Sequence, residues 1–520
     1  VPALRAWAAD HRDDLIVAAM FVAARVVFIA FLGVRMDLVF LVFAPHLPDL
    51  HLLRTDLLTT VWYEHTQPPL FPLGVGALML LSPFPDGITF QVAWLAMGLA
   101  TALVVVRIAR MLGLGRGAAF VAVGLVVTNP ALVSIEFSAN YDQPTILLVA
   151  LLILFVGRYA ASATTGHLAA VTGLGAVAVL TRTVFHPAWY LLLVAGLVAV
   201  RRPDWRDRRL WAVLALPAVA IGIFVVKNQV LYGEAGLTTW GGASLSKIAG
   251  SAAPPDERAR LIADGTVSPL FGRPVFIVGY DAYADAMAPC HVTHPDVAVL
   301  AQPDRPGNPP FTADGKPTPN LNYECFLAVY RQQGDDAIAY AKADPGRFFR
   351  AQALGGQMFF EPALPIVFTR NLSHLDGAEQ LWRHTIYPAV TVAPIERENE
   401  WAGFRLLAHG GVQLLPTVLL LDLAAIALAG PAILRLWRGR GREGGGPRRA
   451  ALAVRAALGL TCLWVTVIGS AFEINENARY RLLIEPELLV VLAWAGQWAV
   501  AAVRGWRPRT ADPGPTPERA

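Results

Sequence analysis

The chain has 520 residues, 55% hydrophobic and only 16% charged, with a formal net charge of +4 and a mean hydropathy of +0.47. That balance excludes an ordinary soluble enzyme and defines a polytopic membrane protein. The arginines are spread along the chain by topology and form no nucleic-acid patch.

The first apolar run, 15–34, is long enough to span a bilayer at about 1.5 Å per residue. No small-residue cleavage site clearly follows it, so it reads as a retained anchor and not as a removed signal peptide. Next comes the stretch 35–87, with Asp37, Asp49, Asp56, Glu64, His65 and Gln67 held against the membrane edge. Charged groups placed there are costly and more often functional than decorative. The run 69–81 is short and rich in Pro and Gly, which predicts an interfacial helix on the outer surface. Spans are predicted at 90–106, 118–127, 145–156, 167–180, 189–200 and 210–226. Several of these cores are shorter than a full crossing, so their helices must extend into the flanks.

Lys227 and Asn228 are predicted to open a long polar region, 229–405, that has no apolar run of spanning length. Pro and Gly mark loops at 252–255 and 303–319, and helix-like pieces such as 335–343 lie between and after them. The region is large enough to bury a core of its own and is predicted as an extracytoplasmic domain. Cys290 and Cys325 share it; a disulfide is permitted outside the cytoplasm, and two free thiols are the alternative. Spans at 411–434, 456–471 and 482–503 complete the chain, with Cys462 in an apolar run.

With 69–81 kept on the surface, the Arg-rich loops at 107–116, 201–209, 435–449 and 504–509 all face the cytoplasm. The predicted architecture is an all-α polytopic bundle of about ten transmembrane helices, with outer interfacial helices and a mixed extracytoplasmic loop domain. Its parts are a transmembrane module 1–228 containing a catalytic first outer loop (35–87), an extracytoplasmic domain 229–408, C-terminal spans 409–505 and a disordered cytoplasmic tail 506–520. The Ala-, Arg- and Gly-rich usage points to a bacterial cytoplasmic membrane.

This topology collects the unusual polar residues on the outer side. They are Asp37, Asp56, His65 and Gln67; Glu136, Asn140, Tyr141 and Asp142; Arg182 and His186; and Glu473, Glu476, Arg479 and Arg481. A carboxylate there can take the proton of a hydroxyl, and arginines with a histidine can hold a phosphate. A phosphate at the bilayer edge fits a lipid-linked one. The chain has no Gly-Lys-Ser/Thr phosphate loop, His-Glu-x-x-His, Gly-x-Ser-x-Gly or Cys-x-x-Cys pattern.

Plainer readings stand beside these. Asp37 either marks the membrane boundary or acts as base. Asp56 is a helix-start charge on a predicted interfacial helix, where Arg54 can neutralise it, or a second base. His65 is an interfacial histidine or a phosphate ligand, and Arg182 a snorkelling or a phosphate-binding arginine. Arg479 and Arg481 run against the positive-inside bias, which points to pairing with Glu473, Glu476 or an anionic ligand. Glu136 and Asp142 are ordinary loop acids on the plainer view. Asp37 is preferred over Asp56 because it lies within one helical turn of the first span and is held by the bundle.

At these residues the chain resembles the C-type (GT-C) glycosyltransferase superfamily, closest to the protein O-mannosyltransferase and lipid A aminoarabinose transferase branch. The similarity lies in Asp37 after the first span, then His65-Thr-Gln-Pro-Pro-Leu-Phe71, the turn Asn129-Pro130 before Asp142, Arg182, and Glu476-Asn-Ala-Arg-Tyr-Arg481. It covers roughly 15–230 and 410–505. Leu38 stands where the family often has a second acid, and no Lys precedes Pro68-Pro69.

The resemblance implies transfer of a monosaccharide from a polyprenyl-phosphate donor to a hydroxyl of a glycan, lipid or protein outside the membrane, with inversion. The outer-face reading and the resemblance together put Asp37 and Asp56 in catalysis, and His65, Gln67, Arg182, His186, Arg479 and Arg481 at the donor phosphate. Glu136, Tyr141, Asp142 and Glu476 would support them or meet the acceptor. No cofactor is implied, and a divalent metal stays open. The rivals are a transporter or lipid flippase, which predicts polar residues at helix midpoints and paired repeats, and a non-enzymatic envelope-assembly protein.

Overall fold

The computed structural model describes residues 11–200, 206–276, 278–287, 290–309, 316–364, 369–392, 412–439 and 446–503. The predicted tail 506–520, the loop arginines Arg201, Arg202, Arg440 and Arg442, and residues 393–408 lie outside them.

Helix α1 (Arg12–Phe31) loosens into a π turn over Val27–Phe31. Short helices Val39–Phe43, Leu50–Thr55 and Leu57–Tyr63 lead to α2 (Leu70–Leu81), whose 12 residues are too few to cross a bilayer. Helix α3 (Asp86–Met111) is followed by α4 (Arg116–Thr128) and α5 (Pro130–Glu136), which are bent 60° from one another. The bend has a local cause. Pro130 lacks an N–H and pushes Asn129 out of helical geometry. The Asn129 side chain then caps the new helix, accepting from the N–H groups of Ala131 (2.9 Å) and Leu132 (3.2 Å).

Helices α6 (Asp142–Ser162), α7 (Thr165–Thr181), α8 (Pro187–Val200) and α9 (Arg208–Tyr232) complete the first half. Between the halves lie α10 (Gly241–Ala252), α11 (Phe326–Ala343), α12 (Pro345–Phe359) and α13 (Leu372–Thr385). The chain closes with α14 (Pro416–Arg438), α15 (Pro447–Ala471), α16 (Asn477–Arg481) and α17 (Glu485–Val503). Among the described residues seven helices are long and apolar enough to cross a membrane, or eight if the bent pair is one crossing, while α7 and α8 are shorter apolar helices. This is a multi-pass helical membrane protein.

Several predicted boundaries move for one reason. In a bilayer the backbone must bond within its own helix, so helices run on through polar flanks. The predicted span 145–156 is the middle of the 21-residue α6. Lys227 and Asn228, predicted to open the large loop, lie inside α9. Outside the bundle, where the bilayer argument does not apply, the predicted helix 335–343 is the second half of α11. The middle region is also not mixed: the one pair of strands among the described residues is Val390–Val392 against Val412–Leu414, antiparallel, at its far edge.

Helix α6 is the hub of the bundle, packed on α3, α7 and α15. The middle region has a core of Ile248, Leu261, Phe271, Tyr340, Leu354 and Met358, joined by Ile474 from the turn before α16. It is therefore fastened to the bundle end by shared burial. Cys290 and Cys325 form a disulfide, resolving the open choice between bridge and free thiols.

Arg305 fastens the first outer loop. Fully buried, it donates to the carbonyls of Leu41, Val42, Ala44 and Pro48 at 2.8–3.1 Å. Asp49 joins in, its Oδ2 accepting from Gly307 N (2.7 Å).

Candidate functional site

The backbone of Asp37 forms a parallel bridge with Ser138: its N–H donates to Phe137 O (2.9 Å), and Ala139 N donates back to Asp37 O (3.0 Å). This pairing ties the exit of α1 to the start of α6 four residues later. On the other side, Asn371 and Arg35 exchange two hydrogen bonds (3.1 and 2.8 Å). The Asp37 carboxylate, 7% exposed, accepts from Val39 N (2.9 Å) and Arg370 N (2.5 Å). It is held rigidly from three segments of the chain.

Four residues on from the Asp37–Ser138 bridge, Asp142 at the first turn of α6 is fully buried between two guanidinium groups. Arg182, at the end of α7, pairs with Oδ1, and Arg479 Nε donates to Oδ2 (2.6 Å). Arg479 also reaches Glu476 (3.2 Å), whose side chain is 23% exposed. Tyr141 and Tyr480 sandwich the Arg182 guanidinium, with ring centroids 4.4 and 4.9 Å away. Phe40 lies under Arg479 at 4.9 Å. Aromatic faces on a desolvated guanidinium hold its plane while leaving its N–H edge for oxygen ligands. The arrangement is a rigid, water-poor cluster of two guanidinium groups and two carboxylates, with one partly open side at Glu476.

His46 completes this wall. Its ring packs near Trp240 (5.1 Å), Phe40 (5.7 Å) and Tyr141 (6.0 Å). Its Nε2 is buried with no hydrogen-bond partner among the described residues. Burial, followed by the charges of Arg479, Arg305 and Arg182, holds its pKa well below the ordinary value, so it is neutral.

His65 stands elsewhere, fully buried in the seam between the first outer loop and the middle region. Its Nε2 faces Asn322 O (3.0 Å), a pure acceptor, so Nε2 carries the proton. Its Nδ1 then accepts from the Thr239 hydroxyl (2.7 Å). Burial lowers its pKa to about 3. Thr66 and Asn322 bond beside it (2.9 Å), and Gln67 is buried next in the chain. Glu64 is buried, with neither carboxylate oxygen partnered among the described residues, and burial raises its pKa well above the usual range.

The remaining predicted residues are dispersed. Asp56 is exposed at the break between Leu50–Thr55 and Leu57–Tyr63, so it does not ride on one continuous helix. Arg54 pairs with Asp86 (2.5 Å) and not with Asp56. His186 is exposed, its Nδ1 accepting from Ala188 N (3.2 Å). Arg481 bonds Glu485 (3.2 Å) and the carbonyls of Phe359 and Glu361. Glu473, a proposed partner of these arginines, pairs with Lys247. Glu136 is not a loop acid: it ends α5 and makes a two-pronged pair with Arg25 of α1 (2.6 and 2.5 Å). Gly98 on α3 makes room for it, since a Cβ there would lie 2.3 Å from Glu136 Oε2.

Sequence reasoning missed His46, Arg305, Asn322, Asn371 and Lys247. His46 sits in the apolar stretch Phe43-Ala-Pro-His46, where an isolated histidine was a usable signal. The others act across more than 200 positions of chain, and no local pattern marks them.

No group of three His, Cys, Asp or Glu placed to hold a metal ion occurs among the described residues. Compared with models of protein families, with curated proteins and with solved structures, the chain matches none.

Proposed function

We propose that the protein is an integral-membrane glycosyltransferase of the GT-C kind, moving a monosaccharide from a polyprenyl-phosphate donor to a hydroxyl acceptor. The observation that carries this reading is the buried Asp142 between Arg182 and Arg479, with the rigidly held Asp37 on the segment bridged to Ser138 four residues before it. The ten crossings of this reading are the seven long helices, the bent pair, α7 and α8. The site end is extracytoplasmic and the membrane is the bacterial cytoplasmic one.

In the proposed reaction the acceptor oxygen attacks the anomeric carbon while the bond from that carbon to the phosphate oxygen breaks. The electron pair leaves with the polyprenyl phosphate, whose added charge Arg182 and Arg479 stabilise. The acceptor proton passes to Asp37. A single displacement inverts the anomeric centre. An apolar cavity of about 580 Å³ between Trp62 and the lipid-facing residues Val219, Ile223, Val226 and Val230 of α9 offers room for a lipid chain.

A second reading, movement of a lipid or solute, draws on Asp422 and Glu487, both 1% exposed inside long apolar helices. Incubating the purified protein with labelled polyprenyl-phosphate sugars separates the two. Release of polyprenyl phosphate supports the transferase, and an intact donor under all acceptor conditions overturns it.

A further inference from the structure

A cleft of about 420 Å³ opens between the segment leading into α10 and the face of α11, apart from the Asp142 site. Its volume lies within the range of small-ligand pockets, about 300–1,000 Å³. Its floor is bare backbone. Gly242 and Gly334 touch where the two helices cross, and a Cβ on Gly242 would lie 2.0 Å from Tyr330 O, so the close crossing that lines the cleft requires glycine there. Gly241, one residue before, faces open space.

The walls mix donors and acceptors. Glu234 and Arg331 pair at 3.0 Å across one side, Asp335 is exposed on α11, and Thr238 and Thr239 supply hydroxyl oxygens as acceptors, their protons being given to Thr66 O and His65 Nδ1. Leu245 and the half-exposed Ile338 add a small apolar face. Two carboxylates against one already paired guanidinium disfavour an anion. A group whose every hydroxyl both donates and accepts suits carboxylates, guanidinium and hydroxyls together, and its C–H face suits Leu245 and Ile338.

The cleft is coupled to the first outer loop. Thr238 donates to Thr66 O (2.8 Å), Thr239 N donates to His65 O (3.0 Å), and the Thr239 hydroxyl meets His65 Nδ1 (2.7 Å). An occupant therefore rests one residue away from the loop that also carries Asp37 and His46.

We infer that this cleft binds a neutral saccharide chain. Its role as the sugar acceptor rests on the transferase reading above.

The test reads binding and chemistry separately. The full chain in nanodiscs is probed on an array of neutral unbranched oligosaccharides. The wild type is expected to hold a subset of them. Gly241→Phe, which projects a ring into open space, is expected to abolish that binding, and Asp335→Asn to weaken it about tenfold through loss of a charged hydrogen bond. Melting temperature checks that both variants fold. No binding by the wild type, or equal binding by folded Gly241→Phe and Asp335→Asn, overturns the cleft. Cleavage of labelled donor is scored in parallel on the wild type. Donor cleavage without cleft-dependent binding keeps the transferase and removes the cleft. Cleft-dependent binding with an uncleaved donor leaves a saccharide site and removes its acceptor role.

Discussion

At one end of the bundle Arg107 pairs with Asp14 at 2.9 Å and Arg116 pairs with Asp13, with side chains 38%, 35%, 43% and 42% exposed respectively. At the other end Asp142, Arg182 and Arg479 form pairs of the same residue types with side chains 0%, 4% and 1% exposed. The first set is solvated and its attraction is screened; pairs of that kind contribute about 0–1 kcal/mol. The second has lost its water and is tolerated only because each charge is matched and hydrogen-bonded. The arginines of the first end are of the kind that the positive-inside bias places in inner loops, while those of the second are gathered into one buried cluster. Burial, and not residue type, separates the two roles.

Four measurements can break or sharpen that contrast. The largest effect belongs to Asp37, which the transferase reading places at the reacting centre. Asp37→Asn keeps the acceptor of the Val39 N–H and removes the basicity. Turnover should fall about 10²–10⁴-fold with donor affinity retained. If Asp37→Asn turns over at the wild-type rate while Asp56→Asn does not, the exposed Asp56 takes the role of base.

Next comes Arg479→Ala. Arg182 still compensates Asp142, so the loss is that of a buried charged hydrogen bond and of the packing of the guanidinium, about 1.5–3 kcal/mol. The detergent-solubilised protein should melt well below the wild type. An unchanged melting curve would mean that the site is far wetter than its geometry indicates.

Third is a pH effect. His65 titrates at about 3 in the folded chain against an ordinary 6.5, so the unfolded state binds more protons between those values. Its contribution to stability is complete above the unfolded pKa and is lost as pH falls toward the folded one, at up to about 1.4 kcal/mol per pH unit. The suppressed pKa of His46 acts in the same direction, and the raised pKa of Glu64 acts against it. The difference in melting temperature between wild type and His65→Gln should therefore narrow as pH drops from 6.5 toward 3, and a constant difference would contradict a neutral buried His65.

The smallest effect is at the solvated end. Arg107→Ala should cost less than about 1 kcal/mol, and what it does cost should shrink at high salt. A loss comparable to that of Arg479→Ala would erase the contrast between the two ends.

The helical class and most crossings were legible in hydropathy, because a bilayer demands long apolar segments with internally bonded backbone whatever they pack against. The turn at Asn129-Pro130 was legible too, since proline acts on its own neighbour. Asp37, Tyr141, Asp142, Arg182 and Arg479 were singled out as charged or aromatic residues at span ends; the structure gathers the last four into one cluster and ties the Asp37 backbone to the segment that leads into it. His65 and Arg481 looked equivalent to them along the chain. Only packing showed that His65 is a neutral bolt on Asn322 and Thr239, and that Arg481 is spent on Glu485 and two carbonyls. Arg305 in a Pro- and Gly-rich loop carried no mark of its four-carbonyl hold on residues more than 250 positions earlier. Local sequence sets how costly a charge is at a given depth in the membrane. Which partner offsets that cost is decided by which segments meet in three dimensions.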